Sequence, residues 1–177
     1  MSKTFDWALA CVLHHEGGFV NNPNDPGGAT DFGVSLRFLR SVGEDIDGDG
    51  DIDIDDIHAL ELDDVEKLYE KHFWKPAKCD KIQSEIIAVK VFDMAVNMGA
   101  KQAWKLVQRA ANTLGKSLTV DGKPGPDTLA TMKELTDRDF MLVTNIRREQ
   151  DRFYNSLIQS KPSLAEFRLG WRRRAAF

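Results

Sequence analysis

Apolar positions along the chain recur at helical spacing in nearly every segment that shows a pattern. Phe5, Leu9, Val12 and Leu13, with Trp7 and Ala8 beside them, predict an amphipathic helix over residues 4 to 15, ended by Gly17-Gly18. A short helix is predicted over 35 to 42. Another runs from Leu62 to Trp74, opened by Asp63-Asp64, which suit the positive end of a helix dipole. Residues 84 to 98 are apolar on most sides (Ile86, Ile87, Val89, Val91, Phe92, Met94, Ala95, Val96), so this helix is expected at the centre of the core. Helices over 103 to 114 and from Pro126 onward, a long amphipathic one over 140 to 158 and a helical tail over 164 to 177 complete the pattern. Strand signals are nearly absent. The fold class is mostly α.

Two stretches break the helical pattern, and each carries chemistry. From Phe19 to Thr30 the chain holds three Asn, two Pro, an Asp and two Gly, which makes a long irregular loop of the kind compact domains keep for function. Glu16 stands at its entrance, at the C-terminal end of the first helix. The negative end of a helix and nearby aromatic side chains both disfavour an ionised carboxyl, which is the condition a general acid requires. Asp25, in the turn Pro23-Asn24-Asp25-Pro26-Gly27-Gly28, can hold a second carboxylate opposite it, and Thr30 follows five residues later. On spacing alone, a solvated helix-end Glu and an ordinary turn Asp remain open as the alternative.

The second stretch is Asp45-Ile46-Asp47-Gly48-Asp49-Gly50-Asp51-Ile52-Asp53-Ile54-Asp55-Asp56. It fits the EF-hand loop position by position: Asp at 1, 3, 5 and 9, Gly at 6 for the sharp turn, a main-chain carbonyl from Asp51 at 7 and Ile at 8. Position 12 is Asp56 where Glu is usual, as in the dockerin-type variant. One structural calcium is expected, held by Asp45, Asp47, Asp49, Asp51 and Asp56. The alternative is a solvated acidic turn, and the absence of a second EF-hand argues against a calcium sensor.

Charge distribution sharpens this reading. Residues 44 to 66 hold twelve of the 28 acidic residues and none of the 24 Lys and Arg, so the other 154 residues carry 24 basic groups against 16 acidic ones. Seven Asp within twelve positions repel one another unless a cation neutralises them. The basic remainder has no tight cluster, and a nucleic-acid partner is not expected. No apolar run reaches the ~18 residues of a membrane span. No secretory signal peptide is recognisable near the N-terminus, so synthesis in the cytoplasm without one is expected. Two cysteines, Cys11 and Cys79, exclude a disulfide-stapled scaffold and read as buried or semi-buried thiols.

Glu16-Gly17-Gly18-Phe19-Val20-Asn21 followed by Asn24-Asp25-Pro26-Gly27-Gly28-Ala29-Thr30-Asp31-Phe32-Gly33-Val34-Ser35 closely resembles the opening of glycoside hydrolase family 108, lysozyme-like peptidoglycan hydrolases of the phage endolysin or secretion-activator type. The stretch is also similar to the Glu–Asp–Thr arrangement of phage-type lysozymes. Here eight residues separate Glu16 from Asp25 and four separate Asp25 from Thr30, the second gap being one residue shorter. The resemblance continues through Phe73-Trp74-Lys75-Pro76-Ala77-Lys78-Cys79-Asp80 and Val91-Phe92-Asp93-Met94-Ala95-Val96-Asn97-Met98-Gly99. It then reaches Val120-Asp121-Gly122-Lys123-Pro124-Gly125-Pro126-Asp127-Thr128, which is similar to a peptidoglycan-binding subdomain, and the terminal Phe167 to Arg174.

The resemblance implies a lysozyme-like helical lobe over residues 1 to 99, with the calcium loop as an insertion, and a small helical peptidoglycan-binding subdomain over 100 to 177. It implies cleavage of the β-1,4 glycan of peptidoglycan, with Glu16, Asp25 and Thr30 catalytic and no catalytic cofactor. Asn97 is a candidate for lining the sugar cleft, with a helix C-cap as its alternative; Tyr69 and Trp74 are candidates for stacking on sugar faces, with core packing as theirs. His14-His15 lacks a third ligand at sensible spacing for zinc. The resemblance also implies action in the periplasm or cell wall, by a monomer that reaches its substrate with the help of a holin-like export partner. The rival readings are a non-catalytic cell-wall-binding protein and a calcium-dependent interaction module.

Overall fold

The computed structural model describes residues 2–16 and 29–176, and side-chain detail in the first segment stops at His14. The described chain divides into two compact units, Leu9–Lys71 and a second formed by Met1–Ala8 with His72–Phe177. Helix α1 (Lys3–Glu16) gives its start to the latter and its remainder to the former.

The Leu9–Lys71 unit contains the hairpin absent from the sequence reading. Strands β1 (Thr30–Asp31) and β2 (Val34–Ser35) pair antiparallel, Thr30 opposite Ser35 and Asp31 opposite Val34. Phe32 and Gly33 form the two-residue turn with φ of 48° and 76°, both left-handed as a type I′ turn requires. Strands of two residues are too short to show alternation, which is why the pattern of apolar positions passes over them. Ser35 then caps α2 (Leu36–Val42), its hydroxyl accepting from the Phe38 N–H at 3.1 Å. A helix inside the acidic run was also not foreseen: α3 (Ile54–Ala59) starts within the loop template. Asp53 and Asp56 form its capping box, a spacing hidden among so many Asp. The helix expected from Leu62 to Trp74 is α4 (Leu62–Tyr69) followed by a π-helical turn, Glu70–Trp74.

In the larger unit, α5 (Glu85–Met98) is the central helix that its apolar sequence predicts: Ile87 through Ala95 are all buried. It packs against α6 (Ala100–Asn112) and α8 (Asp139–Ser160), while α7 (Pro126–Glu134) lies on α6 and α9 (Arg168–Ala176) on α8. Phe5, Trp74 and Phe92 meet edge-to-face, with ring centroids 5.4–5.9 Å apart. Compactness thus groups α5 with the helices that follow it, although the sequence reading assigns residues 1 to 99 to one lobe.

Gln108, fully buried on α6, organises the turn before α7. Its amide nitrogen donates to the Asp121 carboxylate at 2.8 Å and its carbonyl accepts from the Gly122 N–H at 2.8 Å. Gly122 has φ 76°, and a Cβ there would stand 2.3 Å from the Lys101 carbonyl oxygen, so both conformation and space demand glycine.

Polar groups also enter the core. Lys90 and Asp93 of α5 are buried, and Asn97, at i+7 from Lys90, continues the same face to the exposed end of the helix. The Lys90 ammonium donates to the main-chain carbonyls of Arg174 (2.8 Å) and Ala175 (3.4 Å) near the end of α9, and the Arg174 guanidinium approaches Asp93 at 3.5 Å. Tyr154 on α8 donates to Asn97 at 2.8 Å and stacks on Trp171 at 4.9 Å.

Burial lowers the Lys90 pKa to about 8. The unfolded chain keeps that proton up to the ordinary value of 10.5, so between these limits it binds more protons than the folded one. This group therefore makes stability rise with pH from about 8 towards 10.5. Urea denaturation of the parent and Lys90→Met at pH 7.5 and pH 10 tests it: the parent should gain on the variant at the higher pH, and parallel changes would dismiss the assignment.

Candidate functional site

The sequence-derived catalytic residues all belong to the Leu9–Lys71 unit. Glu16 is the last residue of α1. Its side chain and the whole of Asp25 fall outside the described residues. Thr30 is described: it opens β1 and is partly buried.

Four constraints fix the backbone that carries Thr30. It pairs with Ser35 in the hairpin. The Leu36 N–H donates to the Ala29 carbonyl at 3.0 Å, tying the start of β1 to the start of α2. The Tyr69 hydroxyl of α4 donates to the Phe32 carbonyl at 3.2 Å, holding the turn, and α3 packs directly on β1. A hairpin of four paired residues is marginal alone, and these neighbours supply its rigidity.

Two residues expected to stack on sugars are placed in the core instead. Tyr69 is 2% exposed with its hydroxyl spent on Phe32, and Trp74 is 4% exposed with its ring against Phe5 and Phe92. Neither has a ring face open to a ligand, which corrects that expectation in favour of packing. Asn97 is exposed at the end of α5, its side-chain carbonyl held by the Tyr154 hydroxyl. Tyr154, which sequence reading did not single out, is what orients it.

The acidic loop is folded by hydrogen bonds from its own main chain to its carboxylates. Asp45 accepts from the N–H groups of Gly48 (2.7 Å) and Gly50 (3.0 Å), Asp47 from Asp49 (3.2 Å), and Asp49 from Asp51 (3.0 Å). Gly48 and Gly50 take φ of 78° and 101°. Among the described residues, the carboxylates of Asp45, Asp47 and Asp49 form one group able to hold a metal, with ligand atoms within 4.8 Å of one another. Asp51 and Asp56 are not in that group. Asp56 is instead 1% exposed, accepting from Ile46 N–H at 2.6 Å with one oxygen and from Asp53 N–H at 2.7 Å with the other. Position 12 thus closes the loop and starts α3.

Electrostatics in the loop are unfavourable without a counter-charge. Asp51 is raised above the usual carboxylate range by the charges of Asp49 and then Asp53. For Asp47 the Asp49 N–H pulls downward, yet desolvation and the carboxylates of Asp49, Asp56 and Asp45 together outweigh it. On the outer side, Arg40 of α2 donates to the Ile52 carbonyl at 2.8 Å, pinning the loop to α2. The chain from loop to α3 to β1 therefore links the acidic segment to the hairpin carrying Thr30.

A helix-bordered hairpin, a following acidic loop and a second helical unit are the features that comparison with known proteins assigns to a class. Residues 9–99 match the model described as Glycosyl hydrolase 108, and residues 102–176 match one described as Predicted Peptidoglycan domain. The chain belongs to the glycosyl hydrolase 108 family. The structure of Brucella abortus SagA is similar, with a TM-score of 0.73 at 23% identity over 98% of this chain and 90% of that one, which extends the likeness in fold to both segments. No curated protein matches this chain. A glycosyl hydrolase segment joined to a peptidoglycan segment directs the function to peptidoglycan and so to the bacterial cell wall.

Asp56 offers a test of the loop that needs no metal. Asp56→Ala leaves the N–H groups of Ile46 and Asp53 without acceptors, which should cost about 1–3 kcal/mol. Denaturation in the presence of a chelator should show this loss. An unchanged midpoint would mean that Asp56 has no structural role of its own.

Proposed function

We propose that the protein is an N-acetylmuramidase, cleaving the β-1,4 glycosidic bond of peptidoglycan with Glu16 as general acid. The reading is carried by the hydrolase-family segment, which begins at residue 9 and takes in the Glu16 to Ser35 motif. Glu16 gives its proton to the glycosidic oxygen as the bond to the leaving sugar breaks. Asp25 deprotonates a water on the opposite face of the sugar, and Thr30 helps to hold that water. Attack from the opposite face inverts the anomeric centre, an outcome that suits carboxyl groups ~6.5–9.5 Å apart. The rigid hairpin supports this division of roles, since a water-positioning hydroxyl has to sit on a fixed backbone.

Glu16→Gln keeps the side-chain shape and removes the proton, and should lower lytic activity by ~10²–10⁴-fold. Turbidity of purified cell walls measures this, and more than a tenth of parental activity in the folded variant would overturn the role of Glu16. Mass spectrometry of the released fragments should find muramic acid at the new reducing ends. N-acetylglucosamine there would make the enzyme a glucosaminidase, and walls that never clear would make the chain a binder.

The same loop chemistry supports one structural calcium held by Asp45, Asp47 and Asp49, with the Asp51 carbonyl and water completing a shell of about six to eight oxygens. Its charge would relieve the carboxylate repulsion and stiffen the path from the loop through α3 to β1. Calcium at a hundred times its Kd should add about 2.7 kcal/mol to stability. Calorimetric melting with calcium and with chelator checks this. Asp45→Ala with Asp49→Ala should abolish the difference, and no calcium uptake at millimolar concentration would refute the site.

A further inference from the structure

We propose that a stripe on α8 binds the carboxylate-bearing peptide stems of peptidoglycan; this rests on the reading that the chain acts on that polymer. Met141, Asn145, Arg148 and Arg152 follow one another at four, three and four residues, which sets them on one face of the helix. Two hollows of about 310 and 350 Å³ lie along this face and share Asn145 and Arg148 as walls. The first is bounded by Phe140 and Met141. The second is closed by Thr113 at the end of α6.

The groove is apolar at one end and cationic at the other. Phe140 is 78% exposed and Met141 51%, large apolar side chains left open beside each other. The Arg148 guanidinium is held only by the Asn145 side-chain carbonyl at 3.3 Å and makes no ion pair among the described residues. Arg152 pairs with the nearly buried Glu149 at 2.5 Å while most of its side chain stays in solvent, so that pair orients it with donors to spare. The carboxylate of Glu149 is thereby neutralised within the groove.

Charge and length both suit a peptide stem. The 102–176 segment carries 14 Lys and Arg against 8 Asp and Glu, the balance an acidic ligand needs. From Met141 to Arg152 the helix advances ~16 Å. A stem of about four or five extended residues spans roughly the same distance. Its free carboxylates would meet Arg148 and Arg152 in the forked geometry guanidinium favours, and its methyl side chains would lie on Phe140 and Met141. The bare glycan backbone of peptide-free chains lacks those stem carboxylates, so the stem is the part of the polymer this groove distinguishes.

Co-sedimentation of the full chain with purified sacculi, in the cold, tests the assignment. Parent protein should bind intact sacculi at least tenfold more tightly than sacculi stripped of stems by an amidase. Arg148→Glu should bind both preparations as weakly as the parent binds stripped ones, and Phe140→Ser should fall in the same direction. Both positions are exposed, and circular dichroism verifies that the variants fold. Undiminished binding of intact sacculi by Arg148→Glu would overturn the proposal. So would equal binding of intact and stripped sacculi by the parent, which would assign the surface to glycan or to unspecific charge. Hydrolysis of a soluble stem-free glycan should be unchanged by Arg148→Glu; if the parent fails to cleave it yet shows the expected sedimentation, the muramidase reading falls and the groove stands.

Discussion

Helix α5 has to be covered on every side, and the larger unit is the solution to that demand. Nine consecutive residues, Ile87 to Ala95, are buried, so no face is left for solvent. An amphipathic helix settles for one neighbour; this one draws in α6 and α8 directly and α9 through its polar positions. α9 brings carbonyls to the buried Lys90 and a guanidinium to the buried Asp93, which offsets part of the cost of burying them. Aromatic packing of Phe5 and Trp74 on Phe92 closes another side.

Legibility in the sequence followed the strength of the periodic signal. The apolar density of residues 84 to 98 announced α5 and its burial, and the spacing over 140 to 158 announced α8, within two residues at each end. The β1–β2 hairpin was illegible because two-residue strands carry no period, and Phe at a left-handed turn position is an unusual signal. The α3 capping box was present as Asp53 and Asp56, but one composition served two purposes and the loop template claimed both residues.

The candidate site was legible in a different way. The Glu16 to Ser35 string carried the family, since it is an unusual combination of turn formers and carboxylates. What it left unread was the support: Tyr69 and α3 brace the hairpin from positions 39 and 24 or more residues after Thr30, and no local pattern reports such contacts. Aromatic residues showed the reverse error. Tyr69 and Trp74 have the side chains of sugar-stacking groups and the burial of core residues, and composition alone does not separate the two.

The docking of α9 has a consequence for how the chain can be handled. Its hold on α5 uses two carbonyls near its last turn and one guanidinium, and its Trp171 ring stacks on Tyr154 of α8. In effect α9 is a ligand joined to its own receptor by the 3-10 turn over Pro162–Phe167, so that its docking is intramolecular. Cutting that connection would leave a short peptide to rebind from dilute solution and would take two carbonyl acceptors from the Lys90 ammonium. A protease that nicks the connection therefore acts on α5 from a distance, by stripping it of those contacts.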